Sequence, residues 1–401
     1  LNDCGKPTPF VDKVVSVIEK EGTSVATKFI QGYYDIPQLE RGEPGVAYQV
    51  AIQDDTGMSN ELRDRKIQLP STIQVGFYHF GFNWLDPVVG QGKTPEEQLR
   101  NRKLRHALSI AFDLEEYVSV FEDDRAQPNF SAVVPGLFGN DLVKTNPVVY
   151  DLQPDGRNKR KPLSEAKRLL AEAGYPDGRD AKTGKPLVIN YDVQGVGPGY
   201  KARLDWVAKQ FAKLNVQLEV RNTDYNRFQD KMRKGAAQFF FWGWLADYPD
   251  PENFLFLLYG PNSKAKFDGE NATNYANPEF DQLFARMKDL DNTPERAALI
   301  QRMVAIMQQD SPMIWGWSEE FGGAYQQWVH NGKPSNIIRD QLPYLRIDQK
   351  LRTQKIQEWN RPVWWPLAVL AGLLLLLIWP AWRGWKRRQE ARAVQLNGDA
   401  A

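Results

Sequence analysis

The segment LRHALSIAFD, residues 104–113, forms the second half of a predicted helix. The helix starts at Thr94-Pro95-Glu96-Glu97, a capping box with proline in the first helical position. Its apolar positions fall on one face, and they are Leu99, Leu104, Leu108 and Ala111. We therefore expect an amphipathic helix that packs against a core.

Strand-like runs alternate with further helices along the chain. The runs rich in β-branched and aromatic residues cover 73–80, 187–193, 216–220, 239–244 and 313–317. Other helices are predicted to start at Ser164, Asn277 and Thr293. This alternation predicts an α/β fold, with helices layered on a sheet.

The charge balance and the histidines argue against several classes of protein. Lys and Arg total 51 against 50 Asp and Glu, so the chain lacks the basic excess that nucleic-acid binding requires. His79, His106 and His330 lie far apart without metal-ligand spacing, and no Gly-x-Ser-x-Gly or His-Glu-x-x-His motif occurs. We therefore expect no enzyme, no nucleic-acid partner, and no cofactor or metal.

An uncharged run of 21 residues, 362–382, lies near the C-terminus. As a helix it spans about 31 Å, the thickness of a bilayer core, whereas a buried helix of a soluble protein seldom runs so long without a charge. Tryptophans cluster at both ends, as in an aromatic belt, at Trp364, Trp365, Trp379, Trp382 and Trp385. The basic residues are denser after the run, so the positive-inside rule predicts a single-pass inner-membrane protein with a cytoplasmic C-terminus and a periplasmic globular part.

The strand-like run 239–244 leads into the loop Trp244-Leu245-Ala246-Asp247-Tyr248-Pro249-Asp250-Pro251. Paired carboxylates can perform acid/base chemistry, but two prolines indicate a loop, in which Asp commonly forms turns. A carboxylate between Trp244 and Tyr248 also suits a cationic ligand group. From these residues alone, a ligand site and a core strand followed by a turn both stay open.

An ordered set of motifs resembles the bacterial extracellular solute-binding proteins of family 5, the oligopeptide, dipeptide and nickel receptors. The motifs are Gly32-Tyr33-Tyr34-Asp35-Ile36, Gly81-Phe82-Asn83, residues 104–113, Pro135-Gly136-Leu137, residues 166–170, Ala173-Gly174-Tyr175-Pro176-Asp177-Gly178, residues 244–251, residues 275–281 and Ser311-Pro312-Met313-Ile314. The resemblance covers residues 1 to about 348.

The resemblance implies two α/β lobes that close around a ligand like a hinged trap. It implies hinge strands at Asn83 and near Glu319. The expected division is a first-lobe portion at 1–83, a second lobe at 84–318, a return to the first lobe at 319–348, a linker at 349–361, a transmembrane helix at 362–382 and a basic cytoplasmic tail at 383–401.

The resemblance also implies site residues. In the peptide receptors that this chain resembles, the Asp of a Trp-x-x-Asp motif pairs with the ligand α-amino group, and this position is Asp247. Trp244 is then a pocket wall, and the further candidates for substrate binding are Tyr248, Trp242, Trp315 and Trp317. Some relatives carry arginines on the preceding strand to hold the peptide carboxylate, where this chain has aromatic residues and only Arg233 nearby.

The resemblance implies the solute-binding component of a peptide-type ABC importer, which delivers a peptide or similar solute to the permease subunits. The uncharged run departs from the soluble or lipidated forms that are common in the family, so we expect a membrane-anchored form of this component. The alternative is a non-catalytic accessory or scaffold subunit of a membrane complex that reuses the fold. The long N-terminal stretch that builds most of the first lobe in the family has no counterpart here, and the chain starts at Leu1 without a signal peptide. We therefore expect an incomplete first lobe, with either a processed N-terminus or, as the resemblance favours, a fragment of a longer protein.

Overall fold

The computed structural model describes residues 3–19, 22–37, 60–122, 124–195, 198–336 and 340–398. The helices in these ranges are α1 (Gly22–Ile30), α2 (Asn60–Asp64), α3 (Pro95–Ala111), α4 (Leu114–Phe121), α5 (Leu163–Glu172), α6 (Pro198–Ala212), α7 (Tyr225–Arg233), α8 (Glu252–Leu255), α9 (Lys264–Phe267), α10 (Pro278–Met287), α11 (Pro294–Asp310), α12 (Gln349–Trp359) and α13 (Trp365–Gly398). The strands are β1 (Ser71–Ile73), β2 (Gly76–Phe82), β3 (Ala126–Pro128), β4 (Tyr150–Leu152), β5 (Asn158–Arg160), β6 (Val188–Gln194), β7 (Gln217–Thr223), β8 (Phe239–Leu245), β9 (Met313–Gly322), β10 (Val329–His330) and β11 (Arg346–Ile347).

The main sheet contains seven strands of the described residues. Their order is β1-β9-β2-β8-β6-β7, and β3 also pairs with β9. Strand β6 runs parallel to β7 and β8, whereas β2 is antiparallel to both β8 and β9. Strand β2 is central and almost fully buried, which explains why its sequence GFYHFGF is apolar at nearly every position.

Alternate side chains of β2 enter two cores on opposite faces of the sheet. Phe80 joins a core that contains Leu104 and Leu108 of α3. Phe77 joins a second core, which contains Met303 of α11. The period of two along the strand therefore divides the helices into two layers, one on each face of the sheet.

Helix α3 confirms the predicted helix, and Thr94 Oγ1 accepts a hydrogen bond from the Glu97 N–H at 3.2 Å. The predicted apolar face is wrong at Leu99, which is 44% exposed. The buried face instead passes through Asn101 and Arg105, whose side chains donate hydrogen bonds to the carbonyl of Gly90 at 3.1 and 2.9 Å. Asn101 and Arg105 occupy buried positions because their hydrogen bonds to Gly90 hold the loop that precedes the helix. Leu99 stays exposed.

A smaller body joins segments from both ends of the chain. The Asp35 carboxylate accepts hydrogen bonds from Trp328 Nε1 and Arg352 Nε, both at 2.7 Å. The ring of Trp359 packs on Trp328, with the ring centroids 5.4 Å apart. Residues 349–359 of the expected linker are thus helix α12, held against this body.

The expected lobe boundaries fall within this connected sheet. Strand β2, from the first expected portion, pairs with β8 of the second, and β9 crosses the boundary at residue 318. Asn83 is buried at the end of β2, where its Nδ2 donates to the carbonyls of Gly235 and Ala237 at 2.8 and 2.6 Å. The division into lobes and the hinge at Asn83 stay predictions.

Helix α13 includes residues 365–382 of the uncharged run near the C-terminus. Among the described residues, one helical section, Trp365–Gln389, is long and apolar enough to cross a membrane, and its most apolar part is not buried within the protein. The helix continues to Gly398, so residues 383–398 of the expected basic tail belong to the same helix. That this section crosses a membrane stays a prediction.

Candidate functional site

Strand β8 ends at the rim of a cleft of about 650 Å³. Trp242 and Trp244 lie two apart on the strand and share the face that turns towards the cleft. Helix α7 forms a second wall, and the segment around α9 forms a third. The lining residues are Tyr225, Asn226, Gln229, Asp230, Arg233, Trp242, Gly243, Trp244, Leu245, Asp247, Lys264 and Glu270.

Helix α7 presents its polar face to the cleft because its apolar face is buried. Phe228 and Met232 pack against Phe240 of β8. Between them in the helical turn, Lys231 forms an ion pair with the buried carboxylate of Asp192 on β6. These contacts fix the helix on the sheet and leave its other side to line the cleft.

The cleft carries one more carboxylate than cations. Asp230, Asp247 and Glu270 line it together with Arg233 and Lys264. The Lys264 ammonium is largely committed within the protein, since Nζ lies 3.2 Å from Glu270 Oε2 and 3.3 Å from the Gly269 carbonyl. Arg233 lies 3.8 Å from an Asp230 oxygen. The lining therefore has a formal charge of −1, which favours a cationic ligand group.

Asn253 of α8 orients the two residues at the rim. Its Oδ1 accepts hydrogen bonds from the Asp247 N–H at 2.9 Å and from Trp244 Nε1 at 3.3 Å. Its Nδ2 donates to Asp247 Oδ2 at 3.2 Å. Because Asn253 is itself buried, it holds the carboxylate and the indole in fixed positions beside the cleft.

Three of the six predicted site residues come together in the cleft, namely Trp242, Trp244 and Asp247. Tyr248 lies outside the lining, 44% exposed, with its hydroxyl bonded to the Glu252 carboxylate. The part that each predicted residue plays in ligand binding stays a prediction.

Trp315 and Trp317 lie away from the cleft, buried in the cores on opposite faces of the sheet. Two residues apart on a regular strand share a face, but Gly316 between them has a φ of 54° and the register with β2 shifts at this point. A Cβ at Gly316 would lie 1.8 Å from the Tyr78 carbonyl oxygen, so only glycine permits this bulge. The bulge turns one tryptophan into each core.

Sequence reasoning missed Asp230, Lys264, Glu270 and Asn253. Asp230, Lys264 and Glu270 belong to segments outside β8, and only the folded structure brings them to the end of this strand. Asn253 had a weak signal, since it directly follows the Pro-Asp-Pro-Glu turn and Asn commonly bonds backbone groups near turns.

His79 lies beneath the cleft floor, cross-strand from Trp242. It stacks on Phe77 with the ring centroids 4.8 Å apart, and neither ring nitrogen has a protein partner. Burial lowers its pKa to about 3, so the ring is neutral at physiological pH.

No metal centre is found in the parts of the chain that the structure describes, where no group of three or more His, Cys, Asp or Glu side chains is arranged to hold a metal ion. The two aspartates of the loop do not act as a pair either. Asp247 lines the cleft, whereas the Asp250 carboxylate is bound by Arg296.

A family model and several curated relatives all assign the chain to one protein family. The model of the bacterial extracellular solute-binding proteins, family 5 (middle region), matches residues 4–266. Dipeptide-binding protein DppE of Bacillus subtilis is 25% identical over 314 residues, which are 78% of this chain and 51% of the relative. Periplasmic oligopeptide-binding protein OppA of Salmonella typhimurium is 26% identical over 283 residues, 70% of this chain and 46% of the relative. Heme-binding protein A of Haemophilus influenzae is 25% identical over 252 residues, 63% of this chain and 41% of the relative.

Solved structures show the same fold. The periplasmic binding protein DppA of Helicobacter pylori, in complex with the peptide STSA, has a TM-score of 0.63 at 18% identity, over 87% of this chain and 59% of that one. HbpA2 of Haemophilus parasuis has a TM-score of 0.59 at 22% identity, over 85% and 59%. The chain thus spans about half the length of its curated relatives. The expected two-lobed α/β fold is confirmed, and the chain belongs to the bacterial extracellular solute-binding proteins of family 5.

Proposed function

We propose that this chain is the solute-binding component of a peptide-type ABC importer and captures a ligand with a cationic end group. The observation that supports this most is the cleft at the end of β8, where Asp247 stands beside Trp244 in an acidic lining. Relatives named as dipeptide- and oligopeptide-binding proteins support a peptide as the solute.

The chemistry of the cleft suits an α-ammonium group. The Asp247 carboxylate offers a charge-assisted hydrogen bond, and the indole of Trp244 offers an aromatic face on which a cation is stabilised. The ring of Trp242 already has the Lys264 ammonium over it, 5.6 Å from the ring centroid. Asn253 holds Asp247 in place before the ligand arrives, which lowers the entropy lost on binding.

We also propose that α13 anchors the protein in the bacterial inner membrane, with the cleft in the periplasm and the C-terminus in the cytoplasm. The length and composition of residues 365–389 support an anchor, and the basic residues Arg383, Lys386, Arg387 and Arg388 support the orientation. The anchor keeps the cleft near the permease subunits that would receive the solute.

Calorimetry of the protein isolated from its host membranes tests the proposal. A dipeptide with a free amino terminus and the same dipeptide with an acetylated terminus are compared. We expect acetylation to weaken binding by roughly one to two decades, because it removes the charge opposite Asp247. Equal affinity for both forms would overturn the role of the cleft. Failure of a broad peptide mixture to bind would favour the accessory or scaffold subunit.

A further inference from the structure

Two cation–indole pairs lie on one face of α13, where its uncharged section ends. The Arg383 guanidinium carbon lies 4.9 Å from the centroid of the Trp379 ring, and the Lys386 ammonium lies 5.6 Å from that of Trp382. The two indole rings also lie close together, with their centroids 5.8 Å apart. In each pair the cation follows its indole by one helical turn, so the four side chains share one face of the helix. Together they form the cation–indole patch.

The patch is accessible and its cations lack acceptors. Trp379 and Trp382 are half-exposed, and Arg383 and Lys386 are exposed. Among the residues that the structure describes, neither cation has an ion pair or a hydrogen bond with a protein group. A cation over an indole keeps the N–H donors that point away from the ring. The patch therefore offers several donors and a positive charge to an anion from outside the chain.

The position of the patch along α13 matches the head-group layer of a bilayer. Residues 365–382 rise about 27 Å as a helix, close to the hydrocarbon thickness of about 30 Å. Arg383 is the first charged residue after this section, and Lys386 lies about 4.5 Å further along the axis. Each head-group layer is roughly 5–7 Å thick, so in the proposed orientation both cations lie at the depth of the lipid phosphates.

We propose that the cation–indole patch binds the head group of an anionic phospholipid. The phosphate accepts hydrogen bonds from Arg383 and Lys386, and the indole rings pack against the part of the lipid between its phosphate and its acyl chains. A head group without an amine leaves the phosphate charge uncompensated, so the patch favours it over a zwitterionic one. The site rests on the proposed membrane anchor and is independent of the ligand in the cleft.

An acidic segment of another protein fits the patch less well. Carboxylates could pair with the two cations, but the half-exposed indoles beside them lie at the boundary of the hydrocarbon. Backbone groups of an irregular segment lose their hydrogen bonds to water at that depth. A phospholipid carries the anion and the apolar chains in one molecule, so it covers the cations and the indoles together.

Native mass spectrometry of the 401-residue chain released from nanodiscs tests the proposal. The nanodiscs contain equal amounts of phosphatidylglycerol and phosphatidylcholine. Both lipids carry a phosphate, but only phosphatidylglycerol has a net negative charge. We expect phosphatidylglycerol to be retained on the protein roughly tenfold more often than phosphatidylcholine, because two cations at the membrane surface act on it.

Two variants that lose the same charge separate a defined site from diffuse attraction. Arg383→Gln/Lys386→Gln removes the cations of the patch, whereas Arg387→Gln/Arg388→Gln removes two exposed cations outside it. We expect the first variant to lower the enrichment of phosphatidylglycerol to within about twofold, and the second to keep most of it.

A third variant tests the indole rings. Trp379→Leu/Trp382→Leu keeps the charge and the apolar character of this section but removes the rings under the cations. We expect a lower enrichment than in the unaltered chain, because the cations lose the contacts that hold them on one face. Enrichment equal to that of the unaltered chain would overturn the part that the indoles play.

Three further outcomes would overturn the proposal. An equal loss of enrichment in both charge variants would show diffuse attraction by the basic tail. Equal retention of the two lipids would show that the patch has no preference for an anionic one, and crosslinking of the patch to an acidic protein in host membranes would then identify a protein partner. Failure of the chain to enter nanodiscs of phosphatidylcholine alone would overturn the membrane anchor itself and the lipid site with it.

Discussion

Arg296 donates two parallel hydrogen bonds to Asp250, from Nη1 to Oδ2 at 2.8 Å and from Nη2 to Oδ1 at 2.6 Å. The guanidinium is buried and also bonds the Met287 carbonyl and the Asn292 side chain. This bidentate pair fastens the loop after β8 to the start of α11. The two aspartates of one short loop therefore have different tasks, since Asp250 fixes the loop and Asp247 faces the cleft.

Asp250→Asn should destabilise the protein by about 2–3 kcal/mol, because it leaves the buried guanidinium of Arg296 without its charge partner. The cost is below that of a fully buried pair because Asp250 is partly exposed. Burial raises the pKa of Asp250, but the hydrogen bonds from Arg296 outweigh it and lower the pKa below its ordinary value. The stabilisation is therefore present at neutral pH and is lost as the pH falls through that lowered pKa. Urea unfolding at pH 7 measures the change, and unfolding free energies equal to the wild type would refute the role.

Asp247→Asn should act on affinity and spare the fold. Asp247 is exposed at the cleft rim, so the loss of a charge-assisted hydrogen bond to the ligand should cost about 1.5–3 kcal/mol, or roughly one to two decades in affinity for a peptide with a free amino terminus. Asp289→Asn, at an exposed carboxylate beside Lys288 on the surface, is the control and should bind normally. Calorimetry and a melting curve on each variant check this prediction. A large fall in melting temperature for Asp247→Asn would show that the residue is structural.

His79 should make the protein sensitive to acid. Burial lowers the folded pKa of His79 to about 3 from the ordinary 6.5, so below pH 6.5 the unfolded chain binds a proton that the folded protein does not. The stabilisation is complete above pH 6.5 and is lost as the pH falls towards 3, by about 2 kcal/mol at pH 5. His106, whose pKa burial lowers to about 4, acts in the same direction.

His79→Phe separates the two histidines. The phenyl ring can keep the stack on Phe77, so we expect the difference in unfolding free energy between pH 8 and pH 5 to shrink by most of the His79 share. Urea titrations at both pH values give this difference. An unchanged difference in the variant would show that His79 reaches water in the folded protein.

Reporter fusions should show the orientation of α13. A reporter after Ala401 is expected to be active in the cytoplasm, because the positive charges from Arg383 onwards disfavour translocation. Exchanging Arg387 and Arg388 for glutamine should weaken this preference. Strong periplasmic activity of the original fusion would contradict the proposed topology.

The local elements could be predicted from the sequence, but the composition of the cleft could not. The capping box at Thr94 and the aromatic run of β8 determine helix and strand through interactions close in sequence, and both are observed nearly where expected. Asp230 and Glu270 meet beside Asp247 only after the sheet has formed, so no local pattern indicates them. The bulge at Gly316 had one signal in the sequence, a glycine inside a strand. This bulge places Trp315 and Trp317 in different cores.

In the proposed topology, the hydrogen bond from Arg352 to Asp35 limits the distance between the cleft and the lipid surface. Helix α12 is fixed to the globular body, and the Asn360 side chain also donates to the Gln31 carbonyl at 2.8 Å. Only residues 361–364 remain between this attachment and α13, a reach of about 14 Å even when fully extended. In the proposed membrane-anchored form, a tether this short would raise the effective concentration of the protein at any partner in the same membrane. It also restricts the angles at which the two can meet, so transfer of a solute would depend on lateral diffusion in the bilayer rather than on encounters in solution.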